Sequence, residues 1–153
     1  MATTTIANIS GHNYIGNNLS ATGKITYKTY NPELQEENSI LFYEASDNEI
    51  NEAVSLASKA FDSYKTFSGK KKAEFLNKIA DEILNLGDTL VTTYCSETGL
   101  PEGRAVGERT RTIFQLRSFA ELVSSGSWVE ASIDTGNPDR TPMPKPDLRR
   151  MNI

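Results

Sequence analysis

Few residues in this chain are of a type that does chemistry unaided, and the scarcest come first. Cys95 is the sole cysteine and His12 the sole histidine. A reactive cysteine needs its thiolate stabilised by a helix N-terminus, a cation or a neighbouring base. Cys95 instead falls near the end of a predicted helix, after Tyr94 and close to Glu97. A carboxylate there would disfavour the thiolate, so a buried structural thiol is expected. His12 follows Gly11 in a small, polar leader, where a general base would lack the orienting partner that its work requires. One histidine and one cysteine make no zinc ligand set. Gly99, Gly103 and Gly107 are spaced by four and do not form the Gly-x-Gly-x-x-Gly turn that follows a strand and cradles a phosphate. No catalytic, cofactor-binding or metal residue is therefore assigned within the chain.

The elements that would position any site follow from periodicity. Lys24 to Tyr30 alternates apolar and polar, the period of a half-buried strand, and Asn31-Pro32 makes a turn. Ile40-Leu41-Phe42-Tyr43 is a second strand, so a hairpin is expected. Ser46-Asp47-Asn48-Glu49 has the spacing of a capping box and starts a helix. Ile50, Val54, Ala57, Phe61 and Tyr64 follow at intervals of three and four, which predicts one inward face. A second helix spans about Ser68 to Leu86, with Leu76, Ile79, Ile83 and Leu86 inward. Gly87 is expected to cap its end, and Asp88 to cap a third helix running through Cys95 and Ser96. Pro101 suits the first position of a fourth helix, about Glu102 to Ser124, with Val106, Ile113, Leu116, Ala120 and Val123 inward. Gly126 ends it. Ser127 to Asp134 then alternates as a strand, with Trp128 and Ile133 expected to pack there. Leu148 to Ile153 begins another strand for which no partner remains downstream.

Composition narrows the class. The chain has 153 residues, 37% of them hydrophobic, enough for one ordinary domain or part of a larger one. A net charge of −4 gives no electrostatic case for nucleic acid. Lys70, Lys71 and Lys72 form a tight basic run that fits a solvated helix start. No stretch approaches the ~18 to 20 apolar residues of a membrane span, and the N-terminus lacks the pattern of a secretory signal. A lone cysteine agrees with a reducing compartment, so the cytoplasm is expected.

Several phrases, in order, resemble the aldehyde dehydrogenase superfamily. They are Asn31-Pro32, the helix carrying Ala53, Ala57, Ala60 and Phe61, and the turn Glu97-Thr98-Gly99-Leu100-Pro101. Gly107-Glu108-Arg109-Thr110-Arg111-Thr112 and Gln115-Leu116-Arg117-Ser118-Phe119-Ala120 resemble the 2-oxoglutarate-semialdehyde (2,5-dioxovalerate) dehydrogenases more closely. Ile133-Asp134, Pro138-Asp139-Arg140 and Pro146-Asp147-Leu148-Arg149-Arg150 continue that likeness. It covers nearly everything from about Tyr14 onward.

The resemblance implies an α/β fold of aldehyde dehydrogenase type, here four helices with short strands at both ends, truncated before the parallel nucleotide-binding sheet. It divides the chain into a mobile leader (1–13), the N-terminal strands and helices of the cofactor-binding domain (14–126), and an incomplete start of the oligomerisation strands (127–153). It implies NAD or NADP as cofactor of a full-length homo-oligomer, with none expected to bind this stretch alone. The partner is an aldehyde substrate, with neither nucleic acid nor membrane. A cysteine nucleophile attacks the aldehyde, amides hold the oxyanion, and a glutamate activates water. By the family pattern these groups lie beyond Ile153, so the isolated chain is expected to be inactive. Arg111 falls where the family's helix lines the substrate tunnel, and an arginine there could hold a distal carboxylate by two parallel hydrogen bonds. Gln115 lies one turn on, on the same face. The competing expectation for Arg111 is a surface ion pair with Glu108. The rival to the enzyme reading is a non-catalytic helical binding or assembly module. Faces that would meet the missing sheet are expected to be exposed and apolar.

Overall fold

The computed structural model describes residues 9–151. Two antiparallel hairpins come first: β1 (Asn13–Ile15) with β2 (Asn18–Ser20), and β3 (Thr26–Asn31) with β4 (Glu36–Tyr43). The predicted turn at Asn31-Pro32 has a local cause. Asn31 Oδ1 accepts the backbone N–H groups of Glu33 (3.0 Å) and Leu34 (3.1 Å), which folds the chain back on itself. The expected leader is shorter on its described side. Tyr43 N–H donates to the Gly11 carbonyl at 3.1 Å, and the His12 ring tilts against Tyr43 at 5.6 Å. Gly11 approaches the Leu41 carbonyl so closely that a Cβ would overlap it, which only glycine permits. Residues 1–8 of that leader lie outside the described residues.

Four helices follow: α1 (Asp47–Tyr64), α2 (Gly69–Asn85), α3 (Gly87–Thr98) and α4 (Glu102–Ser125). The capping box at α1 is present in both directions, Ser46 with Glu49. Its consequence was not visible in the spacing. Glu49 is only 3% exposed, and its carboxylate is a hub. It accepts the Ser20 hydroxyl, the Thr22 N–H (3.2 Å), and the Ser46 N–H and hydroxyl (both 2.8 Å). These donors hold its carboxyl well below the usual carboxylate range, the Ser20 hydroxyl contributing most and the Ser46 and Thr22 amides next. One acidic side chain thus pins β2 to the start of α1.

The core lies between α2 and α4, and small residues make it. Ala73 and Ala80 on α2 and Ala105, Ile113 and Ala120 on α4 are buried at heptad-like intervals, so the two backbones approach closely. Three cross-contacts fix an antiparallel register. Gly69 sits against the Val123 carbonyl, Asp81 pairs with Arg117 at 3.1 Å, and Arg109 reaches the Gly87 carbonyl at 3.0 Å. Val106, Leu116 and Val123 are half-buried, so the predicted α4 stripe holds.

Four expectations need correction. On α1 the stripe faces outward: Ile50, Val54 and Phe61 are 50%, 65% and 59% exposed. The inward side is Glu49, Ala53 and Leu56 instead, because the Glu49 hydrogen bonds dictate which face turns toward the hairpins. Asp88 does not cap α3. Leu86 occupies that position without a side-chain bond, because Gly87 at φ 55° turns α2 directly into α3. Ser127–Val129 is a turn of 3-10 helix, with Trp128 exposed, rather than the start of a strand. The final strand does have a partner. β6 (Leu148–Arg150) pairs antiparallel with β5 (Ser132–Asp134) upstream, braced by Arg150 to Asp134 at 3.0 Å. Asn152 and Ile153 lie outside the described residues. Among the described residues, no helix is long and apolar enough to cross a membrane.

Candidate functional site

Arg111 and Gln115 project from α4 on the face opposite its core stripe. Helical phase requires this, since Ala105, Ile113 and Ala120 turn toward α2. Both residues are exposed, as is Phe114 between them. Gly103 and Gly107 precede them on the same side, with open space where a Cβ would stand. The surface is therefore bare at the helix start, then apolar and cationic one turn further on.

Arg111 is already engaged. Its Nε and Nη2 both donate to Glu108 Oε2 at 3.2 Å, and the other Glu108 oxygen lies 2.7 Å from Arg104. The expected ion pair with Glu108 is thus formed. Both arginines are exposed, so each contact is weak by itself, and the shared carboxylate mainly sets their orientation.

The opposite side of α4 holds something the sequence reading missed. Ile83, Leu90, Val91, Tyr94, Ala105 and Arg109 line a pocket of about 310 Å³ between α2, α3 and α4. Arg109 spans its edge to the Gly87 carbonyl, satisfying an acceptor at the α2–α3 corner. The signal was available, because Ala105, Arg109 and Thr112 share a face at helical spacing. Glu108 also lines this pocket and holds Arg111, so the two regions meet at that carboxylate.

The other singled-out residues stay apart. Cys95 is half-buried on α3, beside Asp88 and Glu102 in a shallow cleft. Gly99 is the left-handed cap of α3 at φ 66°, packed on Pro32. Among the described residues, no group of three His, Cys, Asp or Glu could hold a metal. Among the described residues, the three strand ladders are antiparallel pairs. A dinucleotide takes a crevice at the carboxyl ends of parallel strands, and the described residues do not build one.

Comparison with known proteins decides the lineage. The model of the "Aldehyde dehydrogenase family" matches residues 19–143. The chain belongs to the aldehyde dehydrogenase family. It is 40% identical over 146 residues to alpha-ketoglutaric semialdehyde dehydrogenase 2 of Azospirillum brasilense, covering 95% of this chain and 28% of that protein. It is 37% identical over 144 residues to alpha-ketoglutaric semialdehyde dehydrogenase of Acinetobacter baylyi, covering 94% and 27%. The chain thus spans little more than a quarter of the curated relatives it matches. Betaine aldehyde dehydrogenase of Staphylococcus aureus superposes with a TM-score of 0.68 at 20% identity, over 88% of this chain and 26% of that one. A benzaldehyde dehydrogenase of Corynebacterium glutamicum gives 0.66 at 18%, over 90% and 29%. At such identities these two establish the fold alone. The four-helix, short-strand α/β arrangement is that of aldehyde dehydrogenase N-terminal regions.

Proposed function

We propose that this chain is the N-terminal helical part of an NAD(P)-dependent aldehyde dehydrogenase that oxidises an acid semialdehyde, 2-oxoglutarate semialdehyde, to the carboxylic acid. The single observation behind this is the 37–40% identity to two alpha-ketoglutaric semialdehyde dehydrogenases over nearly the whole chain. A nicotinamide cofactor held by the rest of the enzyme would supply the two-electron oxidant for this reaction, and water the new oxygen. This chain contributes the wall that holds the far end of the substrate. Arg111 and Gln115 stand on the open side of α4 beside the exposed Phe114, a mixed apolar and cationic surface suited to a short chain ending in a carboxylate. Glu108 occupies the Nε side of the Arg111 guanidinium, which leaves its Nη1 and Nη2 end to grip a second carboxylate in a two-point bond. Residues 14–126 serve the cofactor-binding domain, and the β5–β6 ladder within 127–153 belongs to the strands between subunits. The chain by itself does not turn over aldehyde.

In the complete enzyme, Arg111→Ala should lower kcat/KM for the acid semialdehyde by about 10- to 100-fold, the worth of a charge-assisted hydrogen bond. Simple aliphatic aldehydes should be almost unaffected. Equal losses on both substrates would refute the assignment of Arg111. Aldehyde-dependent NAD(P) reduction by the isolated chain would refute the claim that this part is inactive alone.

A further inference from the structure

Glu108 stands on the border between the two faces of α4. It joins Ile83, Leu90 and Tyr94 in lining the pocket, while its carboxylate reaches the arginines of the open side. There it holds two cations at once, one about a turn to either side. Its Oε1 lies 2.7 Å from Arg104 Nη2, and its Oε2 accepts from both Nε and Nη2 of Arg111 at 3.2 Å. The Glu108 side chain is 30% exposed, against 63% for Arg104 and 71% for Arg111. The acid is therefore the packed member of the cluster, and it supplies the fixed point to which the two exposed arginines are tied.

We propose, on the reading that Arg111 grips the substrate carboxylate, that Glu108 is its positioning residue: packed beside the pocket, it fixes which edge of the Arg111 guanidinium faces the substrate. An exposed arginine gives up rotamer freedom when it takes hold of an anion, and a clamp that removes this freedom beforehand lowers the cost of binding. Glu108 takes the Nε edge, so the Nη1–Nη2 end is the one presented. Arg104 has a part in this as well. Its charge offsets that of Glu108, so two cations on one carboxylate leave the cluster positive and still attractive to an anion. The two effects of Glu108 have opposite signs. By charge alone, its removal would strengthen the pull on an acid substrate, whereas loss of positioning weakens the grip.

The test is a double-mutant cycle in the complete enzyme, with an acid semialdehyde and a neutral aldehyde of similar length as substrates. Glu108→Ala should raise KM for the acid semialdehyde by about 3- to 10-fold, the worth of one side chain immobilised in advance. The carboxylate is remote from the reacting carbon, so the loss should fall on KM and not on kcat. The neutral aldehyde should show no such rise. Glu108→Gln keeps one acceptor oxygen and should recover part of the loss, and it serves as the probe if Glu108→Ala folds poorly. In the Arg111→Ala background, neither change at Glu108 should matter further. A KM for the acid that is unchanged or lowered in both Glu108 variants, with Arg111→Ala still selective, would overturn the positioning role and leave the Arg111 assignment standing. So would a loss at Glu108 that persists without Arg111, or that strikes both aldehydes equally. An Arg111→Ala enzyme that loses no preference for the acid would instead refute the Arg111 assignment, and the role of Glu108 with it.

Discussion

Ala80 offers the sharpest test of how the fold is held together. It is 0% exposed, at the point where α2 crosses α4, with Asp81 bound to Arg117 beside it. Four of the five buried residues on α2 and α4 are alanines, so the helices sit close at Ala80 and leave little room for a larger side chain. Ala80→Leu adds three carbons to a filled space. Overpacking of this kind costs about 1–3 kcal/mol. For a chain of this size ~2 kcal/mol lowers the thermal midpoint by about 4–8 °C. With a slope of ~2 kcal/mol/M it lowers the urea midpoint by about 1 M. The same change at the exposed Ala131 should stay within ~0.5 kcal/mol. Urea unfolding followed by circular dichroism reads both. An Ala80→Leu chain with an unchanged or raised midpoint would mean that α2 and α4 have slack between them, and the close-packed alanine interface would be wrong.

Glu49 gives the acid limit of the fold. Its carboxyl is held low in the folded chain by the Ser20, Ser46 and Thr22 donors, so the stabilisation is present above the ordinary glutamate pKa of about 4.3 and fades as pH falls below it. Glu49→Gln should destabilise the chain at neutral pH, and the gap to the native chain should narrow in titrations below about pH 4. A constant gap would contradict the ionised hub. Gly126 sits at φ 69° with nothing near its missing Cβ, so Gly126→Ala should cost only about 1 kcal/mol of backbone strain in a melting experiment. Gly11→Ala should cost more, at least ~2 kcal/mol, because the Leu41 backbone must move and the Tyr43 hydrogen bond with it. Equal costs at the two glycines would refute the close approach. Arg150→Ala should change stability by less than ~1 kcal/mol, since its bond to Asp134 is exposed and salt should erase the difference.

Much of the architecture was legible in residue spacing, for reasons that are local. A serine and a glutamate three apart satisfy free amides wherever they occur, so the start of α1 could be placed at Ser46. Asn31 folds its own turn, and Gly99 and Gly126 end helices because left-handed backbone costs them little. The α4 core stripe was equally plain, because α2 and α3 lie against it. The family, too, was carried by phrases from Asn31-Pro32 to Arg149-Arg150 that need no coordinates. Long-range choices were a different matter. Periodicity marked an apolar stripe on α1 but could not say that Glu49, reaching across to Ser20 and Thr22, would turn that stripe toward solvent. It found a strand at Leu148 but not its partner at Ser132, since pairing depends on how the intervening prolines return the chain. Arg111 could be placed on an α4 face by counting, yet only the fold shows that face open and its guanidinium already shared with Glu108. The sequence by itself determined the approximate extent of the four helices, through local caps and turns, and the family they belong to. Which surfaces are covered and which are exposed was decided by contacts between residues far apart in the chain.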